Sequence, residues 1–255
     1  METPTVLIPL RERAKLTEGE STRILHTGDL FVSEGGSKQQ AIGSSGSLWV
    51  ALSAPADAWR RLVDAISEET IPACVLLPAA HVADRTTRRA AVRLAREVRD
   101  DASSGKSEAA VLRFVALLLD LQAGFDPLIR RCPGRTLAQR RSVFLRLQRV
   151  CTYMESSGDL DLDIAGFARV ANYSPCHFIR TFNAVYGKTP HAVLIEQRLK
   201  RALRLVNDTE LSIAEVAHAS GFEDRCAFAR SFKRQFGETA TAVRERRQAC
   251  DALSG

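Results

Sequence analysis

A chain of 255 residues is long for one hydrophobic core and comfortable for two, so we expect two domains. With 45% hydrophobic and 26% charged residues, the composition is that of a globular protein and argues against global disorder. The 36 Lys and Arg against 30 Asp and Glu leave a formal net charge of +6, which favours nucleic acid or another anionic surface as a partner without proving either.

The six cysteines lie far apart, without a CxxC pair or a Cys/His cluster at ligand spacing. Neither a zinc site nor a disulfide framework is therefore predicted, and reduced thiols fit best. The first residues lack the long apolar run of a signal peptide. We expect a cytoplasmic protein that requires no metal or cofactor and does not associate with a membrane.

The N-terminal part alternates short apolar runs with turn residues, which is typical of strands. A helix is predicted from Ala56 to about Glu68, and a further strand follows it. This pattern indicates a small, incomplete β domain. The strand candidates are TVLIPL, STRILH, DLFVSE, SLWVALS and, after the helix, ACVLLP.

Two helical patterns, at 85–100 and 107–122, predict a helical hairpin. The second helix carries an apolar seam that could pack on its own β domain or form a homodimer contact, and we weigh the two equally. The dimerisation candidates are Val111, Phe114, Val115, Leu118 and Leu121.

The first helix of the hairpin has a face of arginines, which we expect to be solvated, with DNA contact as the less favoured alternative. These arginines are Arg85, Arg89, Arg93, Arg96 and Arg99.

The prolines and glycine of FDPLIRRCPGRT resemble a linker, and the chain beyond it reads as all-helical. The predicted organisation is a sensing or dimerisation domain at 1–125, a linker at 126–136 and a second domain at 137–255.

Two segments of the second domain repeat each other: IAGFARVANYSPCHFIRTFNAVYG at 164–187 and IAEVAHASGFEDRCAFARSFKRQFG at 213–237. Each predicts a short helix with small residues, a tight turn at Asn172 or Gly221, and a longer helix that ends at glycine. Both copies keep F-x-R-x-F, which chance rarely produces twice. The pattern predicts two helix-turn-helix units.

Between the copies, PHAVLIEQRLKRALRLVND predicts a helix from about 190 to 206. Sixteen residues at 1.5 Å each give about 24 Å. Such a rod can hold two recognition helices about one DNA turn, 34 Å, apart.

Residues from about 137 to 247 resemble the DNA-binding region of the AraC/XylS family of bacterial transcription regulators. The segment SIAEVAHASGFEDRCAFARSFKRQFG is similar to the family's second helix-turn-helix, and GKTPHAVLIEQRLKRALRLV to its linker helix. The resemblance implies a regulator, most often an activator, with two DNA-binding units per monomer. It also implies an N-terminal sensing and dimerisation module, often a cupin-like barrel followed by a helical hairpin.

The expected fold class is therefore α+β. A small N-terminal cupin-like β domain with a helical hairpin precedes an all-α DNA-binding domain, in which helix-turn-helix units at about 162–187 and 212–237 are joined by a linker helix. One departure from the family pattern is Ala240, where the first copy has Pro190. We therefore expect the last helix to start differently from the linker helix.

With the aromatic residues facing the core, the other side of each recognition helix is predicted to meet DNA. Arg180 and Arg230 are the strongest candidates because guanidinium reads guanine bidentately; a salt bridge to a neighbouring helix is the alternative. The base-facing candidates are Cys176, Ile179, Arg180, Asn183, Arg225, Cys226, Ala229 and Arg230. The phosphate-contact candidates are His177, Lys188, Arg198, Arg201, Lys233 and Arg234.

Double-stranded promoter DNA is the expected partner, with RNA polymerase contact by VRERRQ, a homodimer and an unknown small effector as further expectations. A ligand-independent regulator whose N-terminal half binds a protein is one alternative. Another is a cupin-type enzyme fused to a DNA-binding module. This enzyme would need metal ligands from His26, Asp29, Glu34, Asp57 and His81.

Cys176 and Cys226 occupy equivalent positions in the two recognition helices. Their oxidation could block docking on DNA, although the favoured interpretation is that they are small residues that permit close approach to the groove.

Overall fold

The computed structural model describes residues 3–18, 21–35, 39–66, 76–100, 105–156 and 163–254. A β region with a helical hairpin precedes a helical C-terminal region, which confirms the predicted α+β class. The cupin-like character of the β region stays a prediction.

The described strands form two antiparallel sheets, one in the order β6-β1-β4-β7 and the other in the order β3-β2-β5. Four predicted strands are confirmed, whereas β2, β5 and β7 were not expected. Part of the candidate ACVLLP lies outside the described residues, and its described end is not a strand. The strands are β1 (Thr5–Arg11), β2 (Ala14–Glu18), β3 (Ser21–Leu25), β4 (Asp29–Val32), β5 (Gln39–Gly43), β6 (Leu48–Ser53) and β7 (Ala79–Val82).

Strand β1 separates two buried clusters because successive side chains point to opposite faces. Val6 and Ile8 pack towards the helices, where Trp59 is fully buried. Leu7 packs with Phe31 and with residues of the second sheet. The β region is therefore covered on one face by helices and on the other by strands.

The described helices of the N-terminal half are α1 (Ala56–Asp64), α2 (Arg85–Asp100) and α3 (Gly105–Gln122). Phe114, Val115 and Leu118 of α3 are at most 1% exposed, within the same cluster as Val6 and Ile8.

This burial makes the dimerisation prediction wrong for Phe114, Val115 and Leu118, because they already cover the chain's own β region. Val111 and Leu121 are partly buried against the same cluster. Of the two interpretations of the seam, packing within the chain is the one that the structure supports.

Helix α4 (Asp126–Arg131) occupies the segment predicted as a linker, after a short 3-10 turn at Ala123–Phe125. Its Ile129 is 2% exposed and Cys132 is 3% exposed, and both pack with the C-terminal helices. The linker prediction overlooked these apolar residues, which pack residues 126–132 against the C-terminal helices.

The C-terminal half is a succession of helices: α5 (Leu137–Glu155), α6 (Ile164–Val170), α7 (Pro175–Tyr186), α8 (Pro190–Asp208), α9 (Ile213–Ala219), α10 (Arg225–Phe236) and α11 (Ala240–Ser254). Within the described residues, none of the helices is long and apolar enough to cross a membrane.

Within the described residues, two ion pairs join the β region to α5. Arg23 of β3 reaches Glu155 at 3.3 Å and donates to the carbonyl of Thr152 at 2.6 Å. Its guanidinium also lies over the Phe31 ring, 4.4 Å from the centroid. Arg149 of α5 pairs with Glu34 in a more exposed position. These two ion pairs, one largely buried and one more exposed, thus help to hold the two halves together.

Candidate nucleic-acid interface

The two repeats fold into the same helix-turn-helix, α6 with α7 and α9 with α10. In each turn one residue takes the left-handed conformation, Asn172 at φ 57° and Gly221 at φ 84°. The next amide, of Tyr173 or Phe222, then donates to a carbonyl of the preceding helix at 2.9 or 3.0 Å. The repeat in the sequence is therefore a repeat in backbone geometry.

Besides its backbone angle, Gly221 lies close to a side chain of a neighbouring helix. A Cβ at this position would lie 2.9 Å from Nε of Arg198, on α8. A side chain at residue 221 would therefore displace this arginine, which packs against the turn of the second unit.

Buried aromatic stripes hold both recognition helices, α7 and α10. Phe178 and Phe182 are 0% exposed, and Phe228 and Phe232 are 2% and 0% exposed. The ring centroids of neighbours in each pair lie 5.5 Å apart. Tyr186 continues the first stripe, where burial raises the pKa of its hydroxyl. The four-residue spacing thus places one side of each helix in the core, as predicted.

The two recognition helices end alike at a glycine, as predicted, but their N-caps differ. Gly187 and Gly237 are left-handed C-caps of α7 and α10. The Asp224 side chain accepts from the amides of Cys226 and Ala227 at 2.8 and 3.2 Å. Ser174 also occupies an N-cap position, but its side chain makes no capping hydrogen bond. Pro175 follows it at the first helical position, where it lacks an amide hydrogen.

The helices that follow the two recognition helices begin alike. Thr189 accepts from the amide of Ala192 at 3.2 Å, and Thr239 accepts from the amide of Ala242 at the same distance. The expectation that Ala240 would alter the start of the last helix is therefore wrong. The threonine cap sets this start, and it is present in both copies.

The base-facing candidates share an exposed position on α7 or α10. Arg180 has a weak internal hydrogen bond, from its Nε to the carbonyl of Cys176 at 3.4 Å. Among the described residues, neither Arg180 nor Arg230 forms an ion pair, so the salt-bridge alternative has no support there. The whole exposed set is Cys176, Ile179, Arg180, Asn183, Arg225, Cys226, Ala229 and Arg230.

A comparison with known proteins identifies this region. Residues 167–246 match the family model of a helix-turn-helix domain. This part of the chain is an AraC-type helix-turn-helix domain. The family resemblance inferred from the repeat is confirmed for this region.

Curated relatives of the AraC-type domain are named as transcription regulators. The HTH-type transcriptional regulator GlxA of Rhizobium meliloti is 38% identical over 93 residues, 36% of this chain and 29% of that protein. Transcriptional activator NphR of Rhodococcus sp is 34% identical over 100 residues, 39% of this chain and 29% of that protein. The matched segment thus spans less than a third of either relative.

Among solved structures, a transcriptional regulator with an AraC-type DNA-binding domain from Chromobacterium violaceum is 26% identical, with a TM-score of 0.38. The match covers 40% of this chain and 91% of that one.

The phosphate-contact candidates of the AraC-type domain fall into different environments. Lys233 and Arg234 are exposed on α10. Lys188 is engaged with Glu196 at 2.7 Å. Arg198 and Arg201 are half-buried on α8, and burial lowers the pKa of Arg201.

His177, at the start of α7, is exposed, and its ring packs edge-on against Tyr173 at 4.7 Å. Lys233, Arg234 and His177 are therefore the best placed of the phosphate-contact candidates.

The arginines of VRERRQ in α11 bind within the domain. Arg244 donates to the carbonyl of Leu211, and Arg246 pairs with Glu238 at 2.8 Å. Arg247 pairs with Glu210, in the loop before α9. These contacts fasten α11 to the second unit, which gives the segment a structural role that the sequence did not predict.

Two of the candidate enzyme ligands, His26 and Asp29, lie together, with Nδ1 and Oδ2 3.7 Å apart, and others are paired elsewhere. Glu34 pairs with Arg149, and Asp57 pairs with Arg61 at 2.8 Å. Burial lowers the pKa of His81. The described ranges contain no group of three or more His, Cys, Asp or Glu side chains that could hold a metal ion.

Proposed function

We propose that this protein is a sequence-specific DNA-binding transcription regulator that inserts α7 and α10 into successive major-groove segments of promoter DNA. The observation that carries the proposal is the pair of matched recognition helices, each buried on its aromatic side and exposed on the other. Helix α8 connects the two units and has 19 residues, about 28 Å of rise. This length suits two helices about one DNA turn apart.

Within this proposal the two arginines at matched positions, Arg180 and Arg230, read bases. Both are exposed, and a guanidinium can donate to O6 and N7 of guanine together. Lys233, Arg234 and His177 contact phosphates, which position the protein without selecting a sequence.

The N-terminal half, proposed as residues 1–125, senses a small effector or dimerises, and the domain from 137 onward binds DNA in the cytoplasm. Activation is the favoured outcome because one matched relative is named a transcriptional activator. A homodimer would need a surface other than Phe114, Val115 and Leu118. Any contact with RNA polymerase would use residues other than the arginines of α11, which bind within the domain. A ligand-independent regulator remains the second candidate, since the β region is small.

The test is selection from random duplex DNA with the full chain at two salt concentrations, because phosphate contacts make affinity salt-dependent. An enriched site with two short motifs about 10 base pairs apart is the expected result. Absence of enrichment by folded protein would overturn the proposal.

Two variants of α10 then separate base reading from phosphate contact. Arg230→Ala should cost about 1–3 kcal/mol of binding free energy at the selected site and relax selectivity at one position. Arg234→Ala, its neighbour on the same helix, should weaken all sequences alike and reduce the salt slope. If Arg230→Ala also weakens all sequences equally, Arg230 is a phosphate contact instead.

A further inference from the structure

A cationic groove runs along α2 in the N-terminal half, far in sequence from the recognition helices. It has a volume of about 660 Å³ and lies between α2 and the end of β1. The lining combines arginines with two apolar side chains. This groove, hereafter the α2 groove, is lined by Leu10, Arg85, Arg88, Arg89, Val92, Arg93 and Arg96.

The arginines of the α2 groove are poorly neutralised. Arg93 pairs with Glu97 at 2.6 Å, and in the described part of the chain the other four have no ion pair. Nε of Arg88 is buried, and no acceptor among the described residues bonds to it. The four guanidinium groups that have no ion pair in the described part of the chain are therefore available to an anion in the groove.

The sequence pattern identified this charge but placed it differently. The predicted face included Arg99, which lies outside the groove and pairs with Asp100 at 3.3 Å. It omitted Arg88, which the structure adds to the lining together with Leu10 and Val92. Leu10 and Val92, hereafter the apolar floor, therefore lie beside the arginines in one open groove.

We propose that the α2 groove binds a small organic anion, one phosphate or carboxylate group attached to an apolar body. Guanidinium groups match both anions bidentately, and Leu10 and Val92 accept the apolar body. A concave volume of this size is in the range of small-molecule sites, about 300–1,000 Å³. The phosphates of duplex DNA carry no apolar body that could lie on Leu10 and Val92, so DNA is the less suitable ligand for this groove. The site goes beyond DNA recognition and does not depend on it.

The experiment is isothermal titration of the full chain with phenyl phosphate, phenylacetate and inorganic phosphate. Phenyl phosphate should bind about threefold or more tighter than inorganic phosphate because its ring covers the apolar floor. Whether phenylacetate or phenyl phosphate binds more tightly decides between carboxylate and phosphate as the anionic group.

Two double variants with equal loss of charge locate the site. Arg88→Gln/Arg89→Gln should weaken phenyl phosphate about tenfold or more because it removes two charged donors. Arg61→Gln/Arg99→Gln, whose arginines lie outside the groove in other ion pairs, should stay within about twofold.

Should the first double variant lose its folded circular dichroism spectrum, Arg85→Gln/Arg96→Gln replaces it, since both side chains are exposed. The same loss of phenyl phosphate affinity, about tenfold, is then expected. Normal affinity in this folded variant would overturn the assignment of the site.

Other results would also overturn the proposal. An equal loss in the control variant would mean general charge attraction, and equal binding of inorganic phosphate would mean that the apolar floor plays no part. If a random duplex displaces phenyl phosphate and Arg88→Gln/Arg89→Gln weakens that duplex, the groove is a nucleic-acid contact. Absence of binding by both aromatic probes would mean that the groove takes no such anion.

Discussion

Replacing Glu155 with Gln tests how firmly the β region is held against the helical half. The change keeps the side-chain size but leaves Arg23 without its carboxylate. The Arg23 and Glu155 side chains are 10% and 29% exposed. Burial lowers the pKa of Arg23, and the Glu155 charge opposes that effect. Removing this acid therefore leaves a charge that water can barely reach.

The expected cost follows from this burial. Breaking a fully buried pair costs about 3–5 kcal/mol, and the residual exposure of Glu155 reduces this to about 2–3 kcal/mol. The second connection, Arg149 with Glu34, provides a matched control, because its side chains are 48% and 32% exposed. Glu34→Gln should cost about 0.2–1 kcal/mol.

Urea unfolding of the full chain can follow the two halves separately. Both tryptophans, Trp49 and Trp59, lie in the N-terminal half, so their fluorescence reports on it. Circular dichroism at the helix band reports mainly on the C-terminal helices. Glu155→Gln should lower the fluorescence midpoint more than Glu34→Gln does. It should also separate the two transitions, because the halves lose one of their buried connections.

Equal free-energy costs for the two variants, or a cost of less than about 0.5 kcal/mol for Glu155→Gln, would contradict a buried charge at Arg23. Either result would mean that Arg23 finds enough water or another acceptor in the folded protein.

Two further predictions concern the AraC-type domain. Asp224→Ala should cost about 0.5–2 kcal/mol in urea unfolding because it removes a cap, whereas Ser174→Ala should be nearly neutral; equal costs would contradict the capping geometry. Iodoacetamide should alkylate the exposed Cys176 and Cys226 before Cys151, where burial raises the pKa of the thiol to about 12. Specific DNA should slow the first two reactions, as peptide mass mapping can show, and unchanged rates would place both cysteines outside the interface.

The C-terminal half was predictable because its signals are local and occur twice. Phenylalanines four residues apart, a residue that tolerates positive φ and a terminal glycine each have a physical meaning within a few positions. Asn172 and Gly221 adopt the backbone angles that the turn needs. One local signal misled, since Pro190 and Ala240 differ while the threonine before each sets the same cap.

The N-terminal half was less predictable because its contacts are distant in sequence. Strand β5, Gln39–Gly43, has little apolar alternation, and pairing with β2 makes it a strand. Arg23 read as an ordinary strand residue, although its partner Glu155 lies 132 positions away. The apolar seam of α3 could face the β region or a second chain, and periodicity cannot distinguish these surfaces.

The buried clusters connect the N-terminal half to the two helix-turn-helix units unequally. Leu77 lies in the same cluster as Phe178 of the first recognition helix. Phe228 of the second lies in a different cluster, whose buried members come from residues 199–243. Helix α8 joins them, with Leu194 packed against the first and Ile195 against the second. Because close-packed clusters transmit displacement directly, a change in the N-terminal half reaches α7 through shared packing, and reaches α10 through α8. If the N-terminal half senses a ligand, the effect of that ligand on DNA affinity should therefore be largest at the DNA motif that α7 contacts.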